Sequence, residues 1–247
     1  MNQSDLVVRF TAARTDPSLA VLEGLHALKH AIRFGAAIVD VVTPDAAILE
    51  TLARRLAPDV AAAIEAAATE VAPELFRHLT AHPIETGVAA IAKRPAIDER
   101  IFASLDDTAP VVLLEDPAHS GNVGAVVRVA AAAGAAAVVT TGMHDPWNPG
   151  ALRGSAGLHF ALPVLRIAAP VVPGRPLVAI DPDGDEVLSP DIALNAVLAF
   201  GSERRGLTDA LVRRADARVR IPMRPGVSSL NLATAVAVML YTMRRAR

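Results

Sequence analysis

Five short apolar runs in the C-terminal part of the 247-residue chain constrain its fold most: VVLLE (111–115), AAVVT (136–140), LVAID (177–181), AVLAF (196–200) and VRIPM (219–223). Runs of this length without alternation suit strands covered on both faces. Helix-like stretches lie at 123–133, around Ala151, at 208–214 and at 230–245. Strands alternating with helices predict a parallel sheet with helices on both sides.

The N-terminal part carries a smaller α/β pattern. Asp16-Pro17 reads as the start of a helix that runs to Phe34, before Gly35. AAIVDVV (36–42) reads as a strand, Asp45 as the cap of AAILETLARRL, Pro73 as the start of ELFRHL, and GVAAIAK (87–93) as a closing strand. A small α/β domain is therefore expected over 1–97. The stretch KRPAIDERIFASLDDTAP (93–110) is charged, holds two prolines and lacks periodicity. Residues 98–109 are expected to link the small domain to a larger one over 110–247.

Composition removes several chemistries. The chain has no cysteine, which excludes disulfides, thiolate metal sites and a Cys nucleophile. The seven histidines form no HExxH motif and no GxSxG elbow occurs, so no metal is expected. DPDGDE (181–186) lacks the length and closing Glu of a calcium loop and reads as a turn. Apolar residues make up 52% but aromatics only 3%, which favours close packing and offers few stacking platforms for bases. The opening MNQSDLVVRF has no basic stretch before an apolar core, and the longest apolar run, 129–139, is too short to cross a bilayer. A cytoplasmic protein without a membrane span is expected. Net charge is −2, yet residues 200–247 hold ten Arg against three acidic residues. Guanidinium forks suit phosphate, so this end is a candidate nucleic-acid face.

In a parallel sheet, ligands collect beyond the carboxyl ends of the strands. Three polar, Gly-bearing stretches follow the predicted strands: EDPAHSGNVGAVVR (115–128), FGSERRGLT (200–208) and IPMRPGVSSLN (221–231). GNVG lacks both GxGxxG and a P-loop Lys, so it is a weak nucleotide fingerprint. Arg128 lies two turns into a helix among Val and Ala and needs a polar destination. Glu203 follows an apolar strand between glycines, and Gly201 permits a ligand to approach the main chain. Ser228 or Ser229 can cap the last helix, which leaves Asn231 inside its first turn, between Leu230 and Leu232. Either these groups serve capping and turns alone, or Arg128, Glu203, Ser229 and Asn231 face one cleft.

Taken together, the three stretches resemble the motifs of the SpoU-type RNA ribose 2′-O-methyltransferases of the SPOUT superfamily. They are NVGAVVRVAAAAG (122–134), GSERRGL (201–207) and IPMRPGVSSLNLATA (221–235), with LRGSAGLHFALPV (152–164) between. The resemblance covers 108–247 closely, and more loosely the small N-terminal domain that precedes many members as a substrate domain. It implies a parallel sheet tied in a deep trefoil knot, a homodimer with its site at the subunit interface, and S-adenosylmethionine as cofactor. By motif position, Thr141, Gly142, Gly201, Ile221 and Leu230 would hold the cofactor. Arg128, Asn122, Glu203, Ser229 and Asn231 would form the catalytic and RNA-facing set. The implied reaction is methyl transfer to a ribose 2′-hydroxyl, with ribosomal RNA favoured over transfer RNA. A knotted RNA-binding protein without activity, or an unrelated nucleotide-binding α/β enzyme, stays open from the residues alone.

Overall fold

The computed structural model describes residues 3–186 and 192–245. The chain divides into two compact units: residues 1–96 with 156–161, and residues 97–155 with 162–247.

The first unit begins with α1 (Gln3–Ala13), β1 (Leu19–Glu23) and α2 (Leu25–Arg33). A single helix over 17–34 does not form. Asp16 instead closes a turn, accepting from the Ser18 N–H and hydroxyl at 2.8 and 2.7 Å. LAVLE after it is the strand β1, whose Ala20, Val21 and Leu22 are all buried. The unit continues with β2 (Ile38–Thr43), α3 (Ala46–Leu56), α4 (Ala61–Ala67), β3 (Ala68–Glu70), α5 (Pro73–Leu79) and β4 (Ala89–Lys93). Asp45 caps α3 as expected, accepting from the Ile48 N–H at 2.9 Å. The sheet order is β1-β4-β2-β3. β4, although last in sequence, is an inner strand, antiparallel to both β1 and β2. Leu6, Phe10, Val42, Phe76 and Ile91 form the core of the unit.

The second unit is an α/β fold around a parallel sheet. Its elements are β5 (Val111–Leu114), α6 (Ser120–Ala133), β6 (Ala137–Thr140), α7 (Pro149–Ser155), β7 (Val164–Arg166), β8 (Leu177–Glu186), β9 (Val197–Phe200), α8 (Asp209–Arg214), β10 (Ala217–Arg220) and α9 (Leu232–Arg245). The sheet order is β10-β8-β9-β5-β6-β7, and every neighbouring pair is parallel. The chain thus steps outward through β6 and β7, returns to the far side of β5, and fills the gap beside it with β9. Every residue of β5, β6 and β9 is buried, which is why these strands read as unbroken apolar runs.

Residues 98–109 carry structure of their own. A 3-10 helix at Glu99–Ser104 lays Phe102 into the core of the second unit, against Val111 and Leu113. DPDGDE is not a turn either: it extends β8, and Arg218 on β10 binds Asp181 and Asp183 at 2.6 and 3.2 Å. β10 stops at Arg220, so Ile221 to Met223 belong to the following loop. The alanine-rich packing matters at Gly124, where a Cβ would lie 2.9 Å from the Gly154 Cα and run into the Ala151 carbonyl. α6 and α7 can meet this closely only because both faces are small.

Candidate active site

The loops after β9 and β10 enclose a cavity of about 520 Å³ beside β8. Ile180, Phe200, Leu207, Ile221, Leu230 and Leu232 give it an apolar wall, while Gly201, Glu203, Ser229 and Asn231 bring polar groups and open main chain to it. Its size and its mixture of apolar wall and few polar groups suit a nucleoside-sized ligand.

Gly201 has a role set by the chain itself. A Cβ at Gly201 would overlap the backbone of Gly206 and Leu207. The 201–207 loop closes on itself there, with Ser202 and Gly206 exchanging backbone hydrogen bonds at 3.2 and 2.9 Å. Three side-chain links tie this loop to the segment leaving β5. Glu115 accepts from the Thr208 hydroxyl and N–H, both at 2.7 Å. Arg205 donates to Asp116 at 2.6 Å. Glu203 accepts from the Asn122 Nδ2 at 2.5 Å and from the Ala118 N–H at 3.4 Å. Glu115, Asp116, Arg205 and Thr208 were not among the expected site residues. Two acids at the end of a buried strand are the signal that marks them.

Asn231 completes the polar chain. It is the N-cap of α9, not a residue of its first turn: its Oδ1 accepts from the Ala233 and Thr234 N–H groups at 3.0 and 3.4 Å. The helix starts at Leu232, two residues later than expected, and Asn231 is exposed. Its Nδ2 donates to the Asn122 Oδ1 at 3.3 Å. Glu203, Asn122 and Asn231 therefore form one line of side chains from three separate stretches. Burial pushes the Glu203 carboxyl upward, but hydrogen bonds from Asn122 and from backbone N–H groups, with His119 nearby, outweigh it and leave it below the ordinary glutamate range.

The remaining expected residues divide. Ser229, Gly201, Ile221 and Leu230 line the cavity. Thr141 and Gly142 do not. The Thr141 hydroxyl accepts from the Asp116 N–H at 3.1 Å, and Gly142, at φ 82°, leaves room that a Cβ would take from the Asp116 carboxylate. Both residues shape the bend at Asp116, itself at φ 47°. Arg128 lies on α6 away from the cavity lining, exposed, with no hydrogen bond or ion pair among the described residues. Among the described residues, no group of three His, Asp or Glu is placed to hold a metal ion, and no helix is long and apolar enough to cross a membrane.

The cavity fits an adenosyl cofactor on its own geometry. The backbone of Ser228, Ser229 and Leu230 makes no hydrogen bond to any described residue, so its N–H and C=O groups are open to a ligand. The apolar wall offers a surface for a heteroaromatic ring.

The model of the SpoU rRNA Methylase family matches residues 109–241. The 23S rRNA (uridine(2479)-2′-O)-methyltransferase of Streptomyces viridochromogenes is 33% identical over 193 residues, 72% of this chain and 67% of that protein. The 23S rRNA (guanosine(2553)-2′-O)-methyltransferase of Bacillus subtilis is 27% identical, across 94% of this chain and 90% of its own. The crystal structure of the SpoU methyltransferase AviRb from Streptomyces viridochromogenes, in complex with the cofactor AdoMet, superposes with a TM-score of 0.78. That match has 26% identity and covers 97% of this chain and 96% of AviRb. With the family's segment spanning both the cavity and the Glu203–Asn122–Asn231 line, the chain belongs to the SpoU rRNA methylase family.

Proposed function

We propose that this chain methylates a ribose 2′-hydroxyl in ribosomal RNA, with S-adenosylmethionine as the methyl donor. It is an S-adenosylmethionine-dependent RNA ribose 2′-O-methyltransferase. The observation that carries this reading is the cavity of about 520 Å³ whose polar rim, Glu203 and Asn231, meets Asn122 from the first turn of α6.

The bound cofactor would supply a methyl group on a sulfonium, which is already a good electrophile and leaving group. The protein's task is alignment and charge. Gly201, Ile221 and Leu230 would hold the adenosyl and methionyl parts, chiefly through main chain. Thr141 and Gly142 act on that site through Asp116 and its ion pair with Arg205. Glu203 stays charged at neutral pH and fixes the Asn122 amide. Asn122 and Ser229 then position the ribose at the cavity mouth. Arg128 carries a permanent charge and cannot accept a proton at neutral pH, so it would stabilise the developing alkoxide or a flanking phosphate. The 2′-hydroxyl proton would pass to solvent water as its oxygen takes the methyl group.

Arg128 does not line the cavity of its own chain. A homodimer in which a second copy brings α6 to the cavity mouth would complete the site. Further parts of the same reading are a trefoil knot formed by the 110–247 domain, RNA capture by residues 1–97 and a cytoplasmic location. The test is a map of ribose methylation across total RNA from cells with and without the protein. One ribosomal 2′-O-methyl mark should depend on it. A mark that moves only in transfer RNA would redirect the substrate, and no change would reject the activity.

A further inference from the structure

A second cavity, of about 250 Å³, lies at the carboxyl ends of β5 and β6 and adjoins the site above at Ala118, whose N–H binds Glu203. Pro117, Val123 and Pro146 give it apolar walls, and Thr140, His144 and Asn148 bring polar groups to it. Thr140 is 1% exposed, and its hydroxyl has no hydrogen-bond partner among the described residues. Buried hydroxyls nearly always find a partner, so an orphan on a cavity wall points to a ligand. Asn148 is held in orientation: its Oδ1 accepts from the Gly150 N–H at 2.8 Å, which leaves its Nδ2 donors for another group.

The chemistry of the lining narrows the ligand. No Lys or Arg lines this cavity and Asp145 does, which disfavours a phosphate. A hydroxyl, an amide and an imidazole between apolar walls suit an uncharged heteroaromatic ring with hydrogen-bonding edges. The cavity has about half the volume of the first, room for a base and not for a nucleoside cofactor. Val123 directly follows Asn122 on the first turn of α6, so this cavity and the polar line share one turn. We propose that it receives a nucleobase of the RNA, drawn out of its stack, and so delivers the adjoining ribose to Asn122. This deepens the reading above and rests on it for the identity of the polymer.

The test uses the full chain and two variants, Thr140→Val and Asn148→Ala. Thr140→Val removes the hydroxyl while keeping the shape, so a purely structural Thr140 would leave RNA kinetics unmoved. Trp147, the single tryptophan, is buried and stands in sequence between the lining residues Pro146 and Asn148, so it serves as the fluorescent probe. Adenosine, guanosine, cytidine and uridine are titrated against its fluorescence with S-adenosylmethionine in excess, and KM for RNA is measured in parallel. The expected result is saturable quenching by at least one nucleoside, weakened in both variants. KM for RNA should rise about tenfold with little change in kcat or in cofactor affinity. Methyl transfer by the wild type with unchanged KM in both variants and no quenching overturns the base pocket and spares the proposed function. Quenching lost in the variants, without methyl transfer by the wild type, keeps the pocket and rejects that function. Neither signal rejects both. Should Thr140→Val not fold, Asn148→Ala decides.

Discussion

Asn122 and Glu203, 81 residues apart in sequence, meet at 2.5 Å through Nδ2 and Oε1. The contact joins the first turn of α6 to the loop after β9, and a carboxylate acceptor makes it a charge-assisted bond. Glu203→Gln keeps the shape and removes the charge. It should lower kcat for methyl transfer by about tenfold, near the difference between a charged and a neutral hydrogen bond. Steady-state transfer of labelled methyl groups to ribosomal RNA measures it.

The same carboxylate predicts a pH dependence of stability. Burial raises its pKa, but the Asn122 bond, the backbone N–H bonds and nearby His119 together outweigh burial and leave the folded pKa below the ordinary glutamate value. The stabilisation is therefore fully present above the unfolded value, about 4.3, and is lost as pH falls through the folded one. The difference in Tm between wild type and Glu203→Gln should stay constant from about pH 7 to pH 5 and shrink below about pH 4.3. Thermal melts across that range test the sign.

Asn231 has two separable duties. Asn231→Asp retains an oxygen for the N-terminal N–H groups of α9, with a charge that suits the helix dipole, but cannot donate to Asn122. Melting temperature should hold within about 2 °C while kcat falls at least tenfold. Asn231→Ala loses the cap as well, at about 1 kcal/mol, or about 2–4 °C in a chain of this size. Paired melts and kinetics distinguish the two.

Gly201→Ala should be a folding and cofactor lesion together. The added Cβ overlaps the Gly206–Leu207 backbone, so the 201–207 loop must open. A cost of about 2 kcal/mol or more is expected, as for overpacking against backbone. Calorimetry with S-adenosylmethionine should show weakened binding even where the variant remains folded.

Much of this was legible in the sequence because the signals were local. The unbroken runs at 111–115, 136–140 and 196–200 read as strands covered on both faces, and Val111–Leu114, Ala137–Thr140 and Val197–Phe200 are fully buried strands. Asp45 capped the helix its position promised. Errors arose where a local signal competed with tertiary context. Asp16-Pro17 has the grammar of a helix start, but LAVLE beyond it is worth more to the sheet as β1. Ser228 and Ser229 are as good caps as Asn231 by type, and only the fold decides which residue meets the first free N–H groups. Glu115 and Asp116 find their partners, Thr208 and Arg205, about 90 residues away, a pairing that no local pattern reveals. Motif position assigns Thr141 and Gly142 to the cofactor, and what the fold adds is that they hold the bend at Asp116.

Arg128 offers the most direct measurement. It is exposed and makes no hydrogen bond or ion pair among the described residues, so Arg128→Ala should shift Tm by no more than an exposed substitution does, within about 0.5 kcal/mol. Purified protein is incubated with labelled S-adenosylmethionine and unmodified ribosomal RNA, and the RNA is digested to nucleosides. Label should appear in a single 2′-O-methylnucleoside with wild type and fall at least about a hundredfold with Arg128→Ala, the loss typical of removing one transition-state stabilising group. Label in a base-methylated nucleoside, or equal labelling by the two proteins, would contradict ribose methylation assisted by Arg128.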